Sequence, residues 1–149
     1  MPVSDLSSHL GYWLRFVSNH VSLAFARKVE GHGVTVAEWV LLRVLHGTEP
    51  TAPSRLADRL GLTRGAVSKL ADRLEAKGLI ARTASESDGR AHTLALTPEG
   101  AALVPVLAAL ADENDAEFFA DLTADERAVI AGALRRIVEK RGLRAVPVD

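Results

Sequence analysis

The sequence predicts a mainly α-helical fold with one small β-hairpin: a winged helix-turn-helix within an obligate-type homodimer, joined through its N- and C-terminal helices. Three observations predict it. Residues 53–90, PSRLADRLGLTRGAVSKLADRLEAKGLIARTASESDGR, read as helix, tight turn, helix, strand and polar hairpin tip. The segments on either side carry helical apolar stripes with more surface than that module can cover. Charge is also sorted along the chain: residues 51–92 hold eight Lys/Arg against five Asp/Glu, and residues 93–149 hold six against ten. The expected organisation is a single domain over 1–149, with dimerisation helices at 5–30 and 98–144 and a DNA-binding lobe at 35–97.

The first helix is expected from Asp5 to Glu30. Leu6, Leu10, Trp13, Val17, Val21 and Ala24 form one stripe, and Tyr12, Phe16 and Leu23 a second. A helix apolar on more than one face must be buried on more than one side. Thr35 with Glu38 forms a capping box for a helix over Val36–His46, which Gly47 ends. Thr51 is placed as the cap of the next helix, with Pro53 in its first turn. Leu56, Ala57 and Leu60 supply that helix's buried side, and Gly61 the left-handed exit. Thr63 caps the following helix, whose stripe is Val67, Leu70, Ala71 and Leu74.

What those positions leave outward is Arg64, Gly65, Ser68, Lys69, Asp72 and Arg73. Arg and Lys reach phosphates or guanine edges, Ser is a short donor, and Gly lets the backbone approach closely. A solvated amphipathic face would look similar on its own. The turn spacing and the hairpin that follows favour DNA. Leu79–Thr83 and Ala91–Thr97 are the expected strands, and Glu86–Arg90 the turn between them. Arg90 is expected at the tip, suited to a minor groove, and Asp88 as a local partner that orients an Arg or holds the turn. The candidate DNA-binding residues are therefore Thr63, Arg64, Gly65, Ser68, Lys69, Arg73, Arg82, Asp88, Arg90 and His92.

Beyond the hairpin, Thr97-Pro98-Glu99 is a helix start, and Thr123 with Glu126 is a second capping box that opens the last helix. Asp112, Glu113, Asp115 and Glu117 read as a solvated acidic cluster in the bend between these two helices.

Composition bounds the function. The chain has 149 residues, a net charge of −1 and no cysteine, which excludes disulfides and Cys-ligated metal sites and argues against a nonspecific nucleic-acid coat. No apolar run approaches a membrane span, so the expected location is the cytoplasm. The five histidines have no metal-ligand spacing, and there is no Gly-rich phosphate loop, nucleophile elbow or paired-carboxylate cleft. No cofactor, metal or enzymatic activity is expected.

The segment LEAKGLIART followed by DGRAHTLALTPEG, with its Asp88-Gly89-Arg90-Ala91 wing pattern, resembles the MarR (multiple antibiotic resistance regulator) family of transcription factors over nearly the whole chain. The resemblance implies that the terminal helices form the dimer interface. With the apolar surplus above, it implies a homodimer on double-stranded DNA with a palindromic operator, most simply as a repressor. It also implies a small aromatic or phenolic, often anionic, effector. Candidate lining residues are Tyr12, Trp13, Phe16, His20, Trp39, Arg43 and His46, for which core packing is the competing role. Two further alternatives stay open: a helical protein-interaction module without DNA binding, and a constitutive regulator without a ligand.

Overall fold

The computed structural model describes residues 1–84 and 92–144. Its elements are α1 (Leu10–Glu30), α2 (Val36–Leu45), α3 (Pro53–Leu60), α4 (Arg64–Ala76), β1 (Ile80–Ala84), β2 (His92–Leu96), α5 (Pro98–Phe118) and α6 (Ala124–Arg141). The strands pair antiparallel, with Ile80 opposite Leu96, Arg82 opposite Leu94 and Ala84 opposite His92.

The core lies where α2, α3, α4, the hairpin and the middle of α5 converge. Leu41, Leu42, Leu56, Leu74, Ile80, Leu94 and Leu107 are its largest fully enclosed aliphatic side chains. The terminal helices contribute almost nothing to it. α1 buries only Val29, and α6 buries no residue. Leu10, Trp13, Phe16, Val17 and Leu23 of α1 and Val129, Ile130, Leu134, Ile137 and Val138 of α6 are all exposed.

Four local expectations need correction. The first helix does not start at Asp5: Leu6–Ser8 is a single 3-10 turn and His9 is extended. Side chains there compete for the backbone, since Ser8 Oγ donates to the Asp5 carbonyl at 2.7 Å and Trp13 Nε1 to the Ser7 carbonyl at 2.8 Å. Thr51 does not cap α3. Its backbone forms a bridge with Leu94 (2.8 and 3.0 Å), and Ala52 takes the cap position without a side-chain bond. The first strand begins at Ile80, because the Leu79 N–H donates to the Leu74 carbonyl and so still belongs to the close of α4. The acidic residues 112–117 lie within the last turns of α5, where they form cross-links. Lys28 of α1 donates to Asn114 Oδ1 (3.1 Å) and pairs with Glu117 (3.0 Å), while Asp115 pairs with Arg127 of α6. Buried Asn114 returns a bond from Nδ2 to the Val21 carbonyl of α1 at 3.1 Å.

The caps at Thr35, Thr63, Thr97 and Thr123 form as the spacing predicts, each hydroxyl accepting a backbone N–H three residues on. One contact fixes the base of the hairpin. A Cβ added to Gly100, in the first turn of α5, would stand 2.0 Å from the Leu79 carbonyl oxygen. Only glycine permits that approach. Thr97 strengthens the same joint, its N–H donating to Leu79 and its hydroxyl to the Gly78 carbonyl at 2.6 Å.

Candidate nucleic-acid interface

Helix α3 ends at Gly61 in the left-handed conformation (φ 66°), and the chain turns through Leu62 to the Thr63 cap of α4. Val67, Leu70, Ala71 and Leu74 bury one side of α4 against the core. Periodicity then dictates the other side, and Thr63, Arg64, Gly65, Ser68, Lys69, Asp72 and Arg73 are all exposed. Nothing near Gly65 requires glycine for packing, since an added Cβ would meet only Thr63 Oγ1 at 3.9 Å. Its absence leaves the start of the helix bare to an approaching ligand.

Strand β1 adds a cation to this face. Arg82 pairs with Asp72 of α4 at 2.6 Å, which neutralises one of the two carboxylates on the outward side, Glu75 being the other, and ties strand to helix. His92 is exposed at the far end of β2, opposite Ala84. Asp88 and Arg90 lie outside the described residues. The structure therefore brings Thr63, Arg64, Gly65, Ser68, Lys69 and Arg73 onto one helical face with Arg82 beside it, and sets His92 further along the hairpin.

The seven candidate effector residues do not come together in the same way. Tyr12, Trp13, Phe16 and His20 form a row along α1, with Phe16 stacked on His20 at 5.3 Å between ring centroids. Trp39 instead packs edge-on against Phe25 at 6.3 Å, and Arg43 and His46 are exposed on and just after α2. Of the seven, only Trp13 lines the apolar groove of about 510 Å³ between α1, the end of α5 and α6, where it faces Phe118, Ile130 and Leu134.

One functional-looking group was not legible in the sequence. Glu38 is fully buried, and Lys77, which follows the last residue of α4, donates to both its carboxylate oxygens at 2.8 and 2.9 Å. Burial alone pushes the Glu38 carboxyl up. The bonds from Lys77 and from the Thr35 N–H, with the Lys77 charge, outweigh that and hold it below the usual range. The capping box announced Glu38 but gave no sign of a second partner just beyond α4.

Known proteins share this architecture. A model of the MarR family matches residues 32–91, which include α2, the helix-turn-helix and the first strand. An HTH-type transcriptional repressor of Mycobacterium tuberculosis is 32% identical over 133 residues, 89% of this chain and 93% of its own length. The chain belongs to the MarR family.

Two solved MarR-like structures extend the match in three dimensions. MepR of Staphylococcus aureus, crystallised with DNA, is 25% identical with a TM-score of 0.79, over 89% of this chain and 98% of its own. The PcaV transcriptional regulator of Streptomyces coelicolor, in complex with its natural ligand, is 27% identical with a TM-score of 0.79, over 93% and 98%. The MarR family is one of DNA-binding transcriptional regulators rather than enzymes, and this chain shares its winged helix-turn-helix architecture. No helix among the described residues is long and apolar enough to cross a membrane.

Proposed function

We propose that this MarR-family regulator is a cytoplasmic homodimeric repressor that reads a palindromic operator and is released by a small aromatic or anionic ligand. The observation that carries the reading is the division within α4, apolar and buried on one side, exposed and cationic on the other. Arg64, Lys69 and Arg73 contact phosphates or guanine edges, with Thr63 and Ser68 as short donors and Gly65 allowing close approach. Arg82 and His92 flank them, and Arg90 enters the minor groove, with Asp88 orienting an Arg or holding the turn. The exposed apolar faces of α1 and α6 support pairing with a second copy. Two reading helices on a two-fold axis call for half-sites about 10 bp apart or a multiple of that. The DNA complex of MepR and the repressor named in Mycobacterium tuberculosis favour the same reading.

The ligand reading draws on the aromatic row Tyr12, Trp13, Phe16 and His20, of which all but the partly buried Tyr12 are exposed, and on PcaV having been crystallised with its natural ligand. Trp39, Arg43 and His46 belong to the same proposal from the α2 side. In vitro selection of bound duplexes tests the core of the proposal. A palindromic consensus is expected, with the complex scattering light as a dimer on DNA. A stable monomer at micromolar concentration sinks it. Titrating the complex with phenolic acids then tests release, for which an affinity loss of roughly 10- to 100-fold is expected.

A further inference from the structure

Glu38 is the one fully buried carboxylate among the described residues, and the DNA-reading face does not use it. Its Oε1 accepts from the Thr35 N–H at 2.8 Å and from Lys77 Nζ at 2.9 Å, and its Oε2 accepts from Lys77 at 2.8 Å. Lys77 also donates to the Gly33 carbonyl at 2.8 Å. With three acceptors the ammonium has used its three donors.

The locations matter more than the count. Lys77 caps the C-terminal end of α4, and Gly78 beyond it turns the chain at φ 73°. Gly33 lies in the turn joining α1 to α2, itself at φ 77°. A single ammonium group therefore bonds the far end of α4 to the turn that leaves α1. The next residue of α2, Trp39, packs on Phe25 of α1. Elsewhere the buried side of α4 makes apolar contacts, which set distance but not direction. An ion pair with a buried carboxylate is a poor device for stability alone, since apolar side chains of the same volume often do as well. What it adds is one defined arrangement.

We propose that Glu38 and Lys77 are positioning residues for DNA reading: through them the C-terminal end of α4 takes its setting from the α1–α2 turn, so that the spacing of the terminal helices is passed to the reading helix. The inference rests on the proposed entry of α4 into the groove, but its test has one arm that needs no DNA.

The chain has no cysteine, so nitroxide labels at Arg27→Cys in α1 and Ser68→Cys in α4 are unambiguous. Labelled chains diluted into unlabelled protein report only the distance within one chain. The neutral pair Glu38→Gln with Lys77→Met is expected to melt cooperatively while its α1–α4 distance distribution broadens or shifts. Its affinity for the selected operator should fall by about tenfold, which is ~1.4 kcal/mol, and its preference over an operator lengthened by one base pair should shrink. Lys77→Arg, which can still fork onto the carboxylate, should restore both readings. If the pair were merely stabilising, its neutralisation would lower the melting temperature and leave distance and spacing preference alone, and that result overturns the proposal. If the neutral pair does not melt cooperatively, Glu38→Gln alone decides on the same readings. A changed distance in a protein that binds no selected duplex leaves the positioning role standing and removes the proposed operator reading instead.

Discussion

Lys77 is 39% exposed while its partner Glu38 has no exposed surface, and that asymmetry sets what each substitution does. Lys77→Met strands a buried carboxylate on the Thr35 N–H. It should cost about 2–3 kcal/mol in urea unfolding, less than a fully buried pair because half-exposed Lys77 is already partly solvated. The pair also predicts a pH dependence. The native Glu38 carboxyl lies below its ordinary 4.5, so its stabilisation is fully present above that pH and is lost as pH falls through the lower native value. The stability advantage of wild type over Glu38→Gln should therefore be full above about pH 4.5 and shrink as pH falls through the lower native value, which acid unfolding of the two proteins would show. The reading face supplies a third prediction. Arg64→Ala should cost about 1–3 kcal/mol if it reads a base, whereas Lys69→Ala should lower the salt slope by about 1 if it neutralises a phosphate. Binding titrations at several salt concentrations separate the two. The outward face of α4 was legible because it is a matter of period alone. The tie between Glu38 and Lys77 was not, because the two residues are 39 positions apart and neither needs the other for its local role.

At the scale of elements, the joint between β1 and α5 has no slack. Gly100→Ala drives a methyl group into the Leu79 backbone, which cannot swing aside as a side chain would. A loss of about 3 kcal/mol or more is expected in chemical denaturation, with the hairpin as the part disturbed. The starts at Thr35, Thr97 and Thr123 were announced best, because a threonine cap followed by an acid or Pro is a local signal, whereas those of α1 and α3 were misplaced. The edges of strands were less legible. Thr51 looked like a cap, yet its backbone is engaged by Leu94, a partner that only the folded hairpin brings near. The acids at the end of α5 are solvated as expected, but they lie in the helix rather than a bend, and two of them, Asp115 and Glu117, are tied to Arg127 and Lys28, partners that only packing brings near.

Across the whole molecule the two ends of the chain carry the unmet apolar surface. Ile130→Glu with Leu134→Glu places charge in the groove that Trp13 and Phe118 line. The variant should scatter light as a monomer while keeping a folded lobe. Its operator affinity should fall by about 100-fold or more as the second reading head is lost. An undiminished dimer would mean that α6 is not the joining element. The terminal helices were legible as surplus, since their stripes exceed what the lobe can cover, but the groove between them depends on how α6 leaves α5. The bare α6 also bears on dose. In the proposed dimer, a helix with no buried side chain of its own gains its cover from the second copy, so its packing is a bimolecular event. At low expression the population of complete reading pairs then grows with the square of chain concentration. A promoter under its control would respond to synthesis of this protein with a threshold, and small changes in translation or turnover would be amplified at the DNA.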